Sequence, residues 1–289
     1  MTTERLPQDI TVIGLGIDGV HQLTRQAEET LRRSRVTFVT DLAPGVIEYL
    51  RDLSPRIMDL SAYRADGDHR VPIYRRMAGD VVAAALDDPP VCFATYGHPL
   101  VYCYPTTLIR RAARVLDLKV AVLPGISSID TLLADAGVDP AFDGLQVYEA
   151  TDLVIRARPL QDDVGTVILQ APIVLDPDNR AGRNRAENLR VLEDHLLRYY
   201  PKDHRALLMI SSIHPLLEPI RFEVPIGELV SVLERASTVA TLYIPPVRHR
   251  EVADQKLADR MRERDTEPPR RPVPHRPGRP PIGPRPDPR

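Results

Sequence analysis

Two short apolar runs, each stopped by a turn rich in glycine and proline, constrain this chain more than any other feature. Residues 91–95 end in Tyr96-Gly97-His98-Pro99, and residues 119–123 end in Pro124-Gly125-Ile126-Ser127-Ser128. Between them, residues 105–116 carry apolar side chains at helical spacing with arginines on the other face, and a second helical pattern runs from Ser127 to Ala136-Gly137. The order strand, turn, helix, strand, turn, helix is that of an open α/β sheet. In such sheets ligands bind beyond the carboxyl ends of the strands, which sets the two turns side by side at one site. Small residues at Gly97, Gly125, Ser127 and Ser128 let a ligand approach the backbone, whose N–H groups and neighbouring hydroxyls can hold it. Taken alone, either cluster reads equally well as an ordinary loop.

The chain opens with a comparable unit. Ile10-Thr11-Val12-Ile13 runs into Gly14-Leu15-Gly16-Ile17-Asp18-Gly19, a helix is expected at about 22–33, and a strand at 36–40 ends beside Asp41. Gly14, Gly16 and Gly19 satisfy G-x-G-x-x-G and Asp41 stands where a ribose-binding acid belongs, so an NAD(P) site is one reading. Any equally tight strand-to-helix crossover produces the same glycines. Further on, a helix is expected at 43–53, an extended piece at 56–60, and a polar loop from Tyr63 to Arg70. An amphipathic helix then starts at Pro72, a favoured first helical position, and runs to about 86. Strands at 166–170, 205–211 and 237–244, with a helix at 184–200, belong to a second lobe; 175–185 reads as a polar loop.

Composition narrows the class. A chain of 289 residues with 43% hydrophobic content can bury a core as two modest domains or one large one. A net charge of −2 asks for neither nucleic acid nor an anionic membrane. Cys92 and Cys103 lie in apolar surroundings, as buried thiols in a reducing compartment do. With no long apolar run and no signal-peptide core in residues 1–9, the expectation is a cytoplasmic protein. No metal-ligand spacing occurs.

The opening V-I-G-L-G-I-D-G, the Y-G-H-P turn and the L-P-G-I-S-S turn, in this order and at these separations, resemble the class III S-adenosylmethionine-dependent methyltransferases, the tetrapyrrole methylase superfamily. The closest resemblance is to the methyltransferase domain of the borosin peptide backbone N-methyltransferases. It extends to D-L-S-A-Y-R-A-D-G-D-H-R-V-P-I-Y (59–74), V-Y-E-A-T-D-L-V-I-R-A-R-P (147–159) and T-L-Y-I-P-P (241–246), covering about 9–247. The resemblance implies a bilobal α/β fold, one lobe from 1–140 and one from 141–250, with S-adenosyl-L-methionine in the cleft and a homodimer as the usual assembly. Its cofactor-contacting positions correspond here to Gly97, His98, Pro99, Val101, Tyr102, Ser127 and Ser128 in the first lobe. Gln170, Ser211, Pro215, Thr241 and Leu242 are the corresponding positions in the second.

Methyl transfer from a sulfonium is an in-line displacement, so the protein must align the acceptor and make it nucleophilic. A peptide nitrogen is a poor nucleophile because its lone pair is delocalised into the carbonyl. By the resemblance, Tyr74 is the base, Arg70 holds the negative charge developing on the amide oxygen, and Tyr63 shapes the site or relays a proton. One departure stands out: the borosin pattern has a second tyrosine beside Tyr63, where this chain has Arg64. Residues 251–289 read as a charged helix-like run followed by a Pro/Arg-rich tail. Proline nitrogens carry no hydrogen to replace, so the tail is a poor acceptor, and a separate precursor peptide is expected. Other readings are a methyltransferase acting on a tetrapyrrole or other small molecule, an NAD(P)-dependent oxidoreductase, and a binding module without catalysis.

Overall fold

The computed structural model describes residues 8–18, 21–40, 45–63, 69–178, 184–214 and 216–265. The elements in the amino-terminal part are β1 (Ile10–Gly14), α1 (Arg25–Arg33), β2 (Val36–Thr40), α2 (Val46–Arg51), β3 (Ile57–Asp59), α3 (Arg70–Asp87), β4 (Val91–Thr95), α4 (Tyr104–Val115), β5 (Val120–Leu123) and α5 (Ser128–Ala136). Then follow α6 (Pro140–Asp143), β6 (Leu145–Glu149), α7 (Ala150–Ile155), β7 (Gly165–Leu169), α8 (Ala186–Leu196), β8 (Arg205–Ile210), β9 (Ile220–Pro225), α9 (Leu229–Leu233), β10 (Thr241–Ile244) and α10 (Gln255–Asp265).

The first sheet is wholly parallel, in the order β3-β2-β4-β1-β5. Its central strands are apolar on both faces because both faces are covered. On one side Val12, Phe38 and Phe93 pack on Ile73, Met77 and Val81 of α3 and Ile109 of α4. On the other, Ile13, Val39 and Ala94 meet Ala27 and Leu31 of α1 and Leu50 of α2. Such a sheet delivers every β-to-α turn to one edge. The turns after β1, β4 and β5 therefore share that edge, as the sequence led us to expect for the last two.

The second sheet runs β6-β7-β10-β8-β9, parallel between β6 and β7 and antiparallel elsewhere. One face, with Ile168, Leu208 and Leu242, packs on Leu153 of α7, Leu192 of α8 and Leu233 of α9. The other face, with Val167, Leu169, Met209 and Tyr243, packs on Ile129, Leu132 and Leu133 of α5. Helix α5 thus belongs by chain order to the first sheet and by packing to the second. It joins the two.

Several boundaries differ from the sequence reading, and one strand was not expected from it. Helix α3 starts at Arg70, two residues before Pro72, with His69 Nδ1 accepting from Val71 N–H at 3.3 Å. Pro72 is tolerated there because the first four N–H groups of a helix have no intrahelical acceptor. Helix α8 ends at Leu196, and strand β9, unforeseen in sequence, is exposed along most of its length. Residues 250–289 form a separate unit, of which α10 is described.

Candidate functional site

The ends of β1, β4 and β5 meet backbone to backbone. Gly97 N–H donates to Gly16 O at 2.9 Å, and Leu15 N–H donates to Thr95 O at 2.9 Å. A Cβ added to Gly14 would lie 2.3 Å from Gly97 O and 2.8 Å from Gly125 Cα. Only glycine fits, and the two bends singled out in sequence are neighbours across Gly14. Pro99 is buried in the same contact, its Cδ 2.9 Å from where a Gly14 Cβ would stand.

This packing also decides against the dinucleotide reading. After Gly16, which has φ 79°, the N–H groups of Ile17 and Asp18 both donate to Gln22 Oε1, at 2.7 and 3.2 Å. Thr24 caps α1, its Oγ1 accepting from Ala27 N–H at 3.1 Å. Among the described residues, the turn's Ile17 and Asp18 donors, which a pyrophosphate would require, are taken by the chain itself. Gly19 and Asp41, the other members of that motif, lie outside the described residues.

The two adjacent serines have different roles. Ser127 is a helix cap: its Oγ accepts from Ile129 N–H at 3.2 Å and Asp130 N–H at 3.3 Å, while Asp130 Oδ2 accepts from Ser127 N–H at 2.7 Å. Its hydroxyl donates to the same carboxylate at 2.6 Å, so it is fully engaged. The Ser128 carbonyl accepts from Thr131 Oγ1 at 3.3 Å, but its hydroxyl has no hydrogen-bond partner among the described residues; the residue lines a small cavity of about 30 Å³ with Tyr96, Leu132, Met209, Ser211 and Thr241. Thr241, 5% exposed, likewise has an unpartnered hydroxyl among the described residues. Ser211 Oγ donates to Asp135 Oδ2 at 2.8 Å and lies 2.8 Å from Thr131 Oγ1, which ties the end of β8 to α5. Leu242 points to the opposite face of its sheet and is fully buried there, so its side chain does not line the cavity. Pro215 lies outside the described residues.

Two of the sequence-selected residues are held in the left-handed backbone region without being glycine: Tyr102 at φ 53° and Gln170 at φ 60°. Such conformations are uncommon and cluster at functional sites. Tyr102 reaches the start of α7; burial, with Glu149 and Asp152 adding negative charge, pushes its phenol pKa up. His98 orders its own turn, Nδ1 accepting from Leu100 N–H at 3.1 Å and its carbonyl from Val101 N–H at 3.0 Å. Gln170 follows β7 and its amide side chain has no partner among the described residues.

The acceptor-side residues fall on two faces of α3. Arg70 and Tyr74 are one turn apart on the same face. Arg70 N–H donates to Pro177 O at 3.0 Å and its guanidinium donates to Asp176 O. The Tyr74 ring meets Tyr104, the first residue of α4, edge to face at 6.2 Å. Tyr74 is therefore half-buried beside the turn that carries residues 97–102. Among the described residues, the guanidinium expected beside the Tyr74 phenol is bonded to a carbonyl of the 176–178 segment instead. Tyr63 is held otherwise: its hydroxyl donates to Asp80 Oδ2 at 2.6 Å and Arg76 lies over its ring at 4.2 Å. By helical spacing Arg76 and Asp80 lie on another face of α3 than Arg70 and Tyr74, while Tyr63 and Tyr74 both pack against the core cluster that contains Ile73 and Met77. Arg64 lies outside the described residues.

Several contributors were not singled out in sequence. Tyr104, Thr131 and Asp135 act through contacts between segments far apart in the chain, although Thr131 and Asp135 are visibly one turn apart on α5, whereas Gln22 bonds only four and five residues back, to Asp18 and Ile17. The distinctive string at 147–159 proves to be mostly structural. Glu149 caps α7, accepting from Thr151 and Asp152 N–H at 2.9 and 2.7 Å, and Asp152 pairs with Arg156 and Arg158. These arginines hold the Asp152 carboxyl below its usual range.

Residues 9–211 match the family model described as tetrapyrrole (corrin/porphyrin) methylases. Among known proteins, the chain is 28% identical over 254 residues to the methyltransferase/ribosomally synthesized cyclic peptide dendrothelin A precursor of Dendrothele bispora, covering 87% of this chain and 61% of that one. It is 31% identical over 242 residues to a type I borosin cyclic peptide precursor of Coprinopsis marcescibilis, covering 82% and 62%. The chain thus spans about three fifths of the length of these relatives. Among solved structures, the methyltransferase CobJ superposes with TM-score 0.61 at 17% identity over 84% of this chain and 96% of that one. Uroporphyrin-III-C-methyltransferase from Thermus thermophilus superposes with TM-score 0.59 at 18% identity, over 82% and 92%.

Proposed function

The chain belongs to the tetrapyrrole (corrin/porphyrin) methylase family, and from that premise we propose that it is an S-adenosyl-L-methionine-dependent methyltransferase acting on backbone amides of a peptide. The donor set fits the cofactor. The hydroxyls of Ser128 and Thr241, unpartnered among the described residues, stand beside apolar walls from Leu132 and Met209, and the unpartnered Gln170 amide follows β7 of the same sheet. A nucleoside joined to an amino acid asks for this mixture. When bound, the cofactor supplies an electrophilic methyl group. The protein's own task is to orient an amide, take its N–H proton and hold the charge that appears on its oxygen.

The observation that carries this reading is the bond from the Arg70 guanidinium to the peptide oxygen of Asp176, one helical turn from Tyr74. Arg70 already grips an amide carbonyl, the group that a peptide acceptor would present. In the proposed complex the acceptor's carbonyl takes that position, and Tyr74 is the base that takes the N–H proton. Tyr63, turned toward Asp80, supports α3 rather than touching the acceptor. The acceptor amides lie on a peptide other than residues 266–289, whose prolines carry no N–H. The enzyme works in the cytoplasm as a homodimer.

The test is mass spectrometry of short apolar peptides, and of uroporphyrinogen III in parallel, incubated with the protein and methyl-labelled S-adenosyl-L-methionine. Label on peptide nitrogens supports the reading. Label on the tetrapyrrole alone overturns the peptide assignment and leaves the methyltransferase.

A further inference from the structure

The free edge of the second sheet is complementary to itself. Strand β9 pairs with β8 on one side and, among the described residues, ends the sheet on the other. One hydrogen bond sets the direction of its backbone groups: just past the Arg205↔Pro225 pair, Ile226 N–H donates to His204 O at 2.9 Å. Counting back by twos, the N–H and C=O groups of Ile220, Phe222 and Val224 face β8, and those of Arg221 and Glu223 point outward. Pro225, also outward, has no N–H to leave unpaired.

The side chains match this edge. Phe222 is 56% exposed and Ile220 48%, while Leu216 and Leu217 in the preceding turn are 85% and 61% exposed. Arg221 and Glu223 are exposed and neither has an ion-pair partner among the described residues. An apolar edge of this kind invites another strand unless it is covered.

We propose that β9 pairs antiparallel with β9 of a second copy about a two-fold axis at Phe222, continuing one sheet through both protomers. Arg221 then stands opposite Glu223 of the other copy, twice by symmetry, and their outward N–H and C=O groups exchange hydrogen bonds. Phe222 meets Phe222, and Ile220 lies across from Val224. Backbone pairing requires outward residues to face outward residues, so a two-fold must pass through a residue. Centring on Arg221 or Glu223 would set like charges against each other, and centring on Ile220 or Val224 would set both charges opposite uncharged residues, so only Phe222 pairs Arg221 with Glu223. Charge complementarity therefore selects a second copy as the occupant. The proposal is independent of the identity of the methyl acceptor.

Light scattering on the full chain over a range of concentrations tests it. The unaltered protein should be a dimer. Arg221→Glu and Glu223→Arg should each weaken association by about tenfold or more. The double exchange R221E/E223R should restore it, and mixing the two single variants should give a heterodimer. A cysteine replacing Phe222 should cross-link through position 222 on oxidation, which reads the register without altering charge. A monomeric protein, a dimer indifferent to both reversals and to the cysteine, or an edge that gains mass only with added peptide would overturn the proposal.

Discussion

The Arg70 guanidinium donates to the backbone oxygen of Asp176, tying the first turn of α3 to the segment after β7. Arg70 must exchange this carbonyl for that of the acceptor. Arg70→Ala is therefore expected to lower methyl transfer by about 10²–10³-fold, the usual loss when a preorganised donor to a developing oxyanion is removed. S-adenosylhomocysteine affinity, measured by calorimetry, should be unchanged.

Tyr74 and Tyr63 should separate in kinetics. Tyr74→Phe keeps the ring contact with Tyr104 and removes the phenol, so the expected loss is about 10²–10⁴-fold in kcat with an unaltered melting temperature. Tyr63→Phe breaks the bond to Asp80 on another face of α3. It should cost about 1 kcal/mol of stability and leave kcat within a few fold. A large kcat loss in Tyr63→Phe without destabilisation would return Tyr63 to the acceptor site.

The adjacent serines make a second contrast. Ser127→Ala removes a helix cap and should destabilise by about 1 kcal/mol in denaturant unfolding. Ser128→Ala should leave unfolding unchanged and weaken cofactor binding by about two- to tenfold, the worth of one neutral hydrogen bond.

Gly14→Ala would press a methyl group against Gly97 O and Gly125 Cα. Because backbone rather than a flexible side chain is in the way, a loss of about 1–3 kcal/mol or more is expected. Cofactor affinity should fall with it, since all three strand ends must shift.

His195 gives the chain a pH dependence. It is 3% exposed, its Nε2 lies 3.0 Å from Arg158 O, and burial lowers its pKa. The unfolded chain therefore binds a proton more readily than the folded one. The stabilisation is complete above about 6.5, the unfolded value, and is lost as pH falls through the folded pKa. His195→Gln, which can keep the donor to Arg158 O, should flatten the melting temperature between about pH 7 and 5.

The tightness of the turns was written in local sequence. Gly97, Gly125 and the Ser127–Asp130 cap declare themselves because backbone conformation and helix ends depend on residues near one another in the chain. The alternation of apolar runs and helical patterns likewise determined the parallel sheet. What each glycine was for could not be read that way: Gly14 and Gly16 satisfied a dinucleotide motif until Gly97, Gly125 and Gln22 were found against them. Tertiary packing alone turned Leu242 to the far face, tied Ser211 to Asp135, set Tyr74 against Tyr104 and sent Tyr63 to Asp80. These partners lie far apart in sequence or on faces that a spacing rule cannot orient. Their pairing depends on how two sheets close around α5, and that is a property of the whole fold.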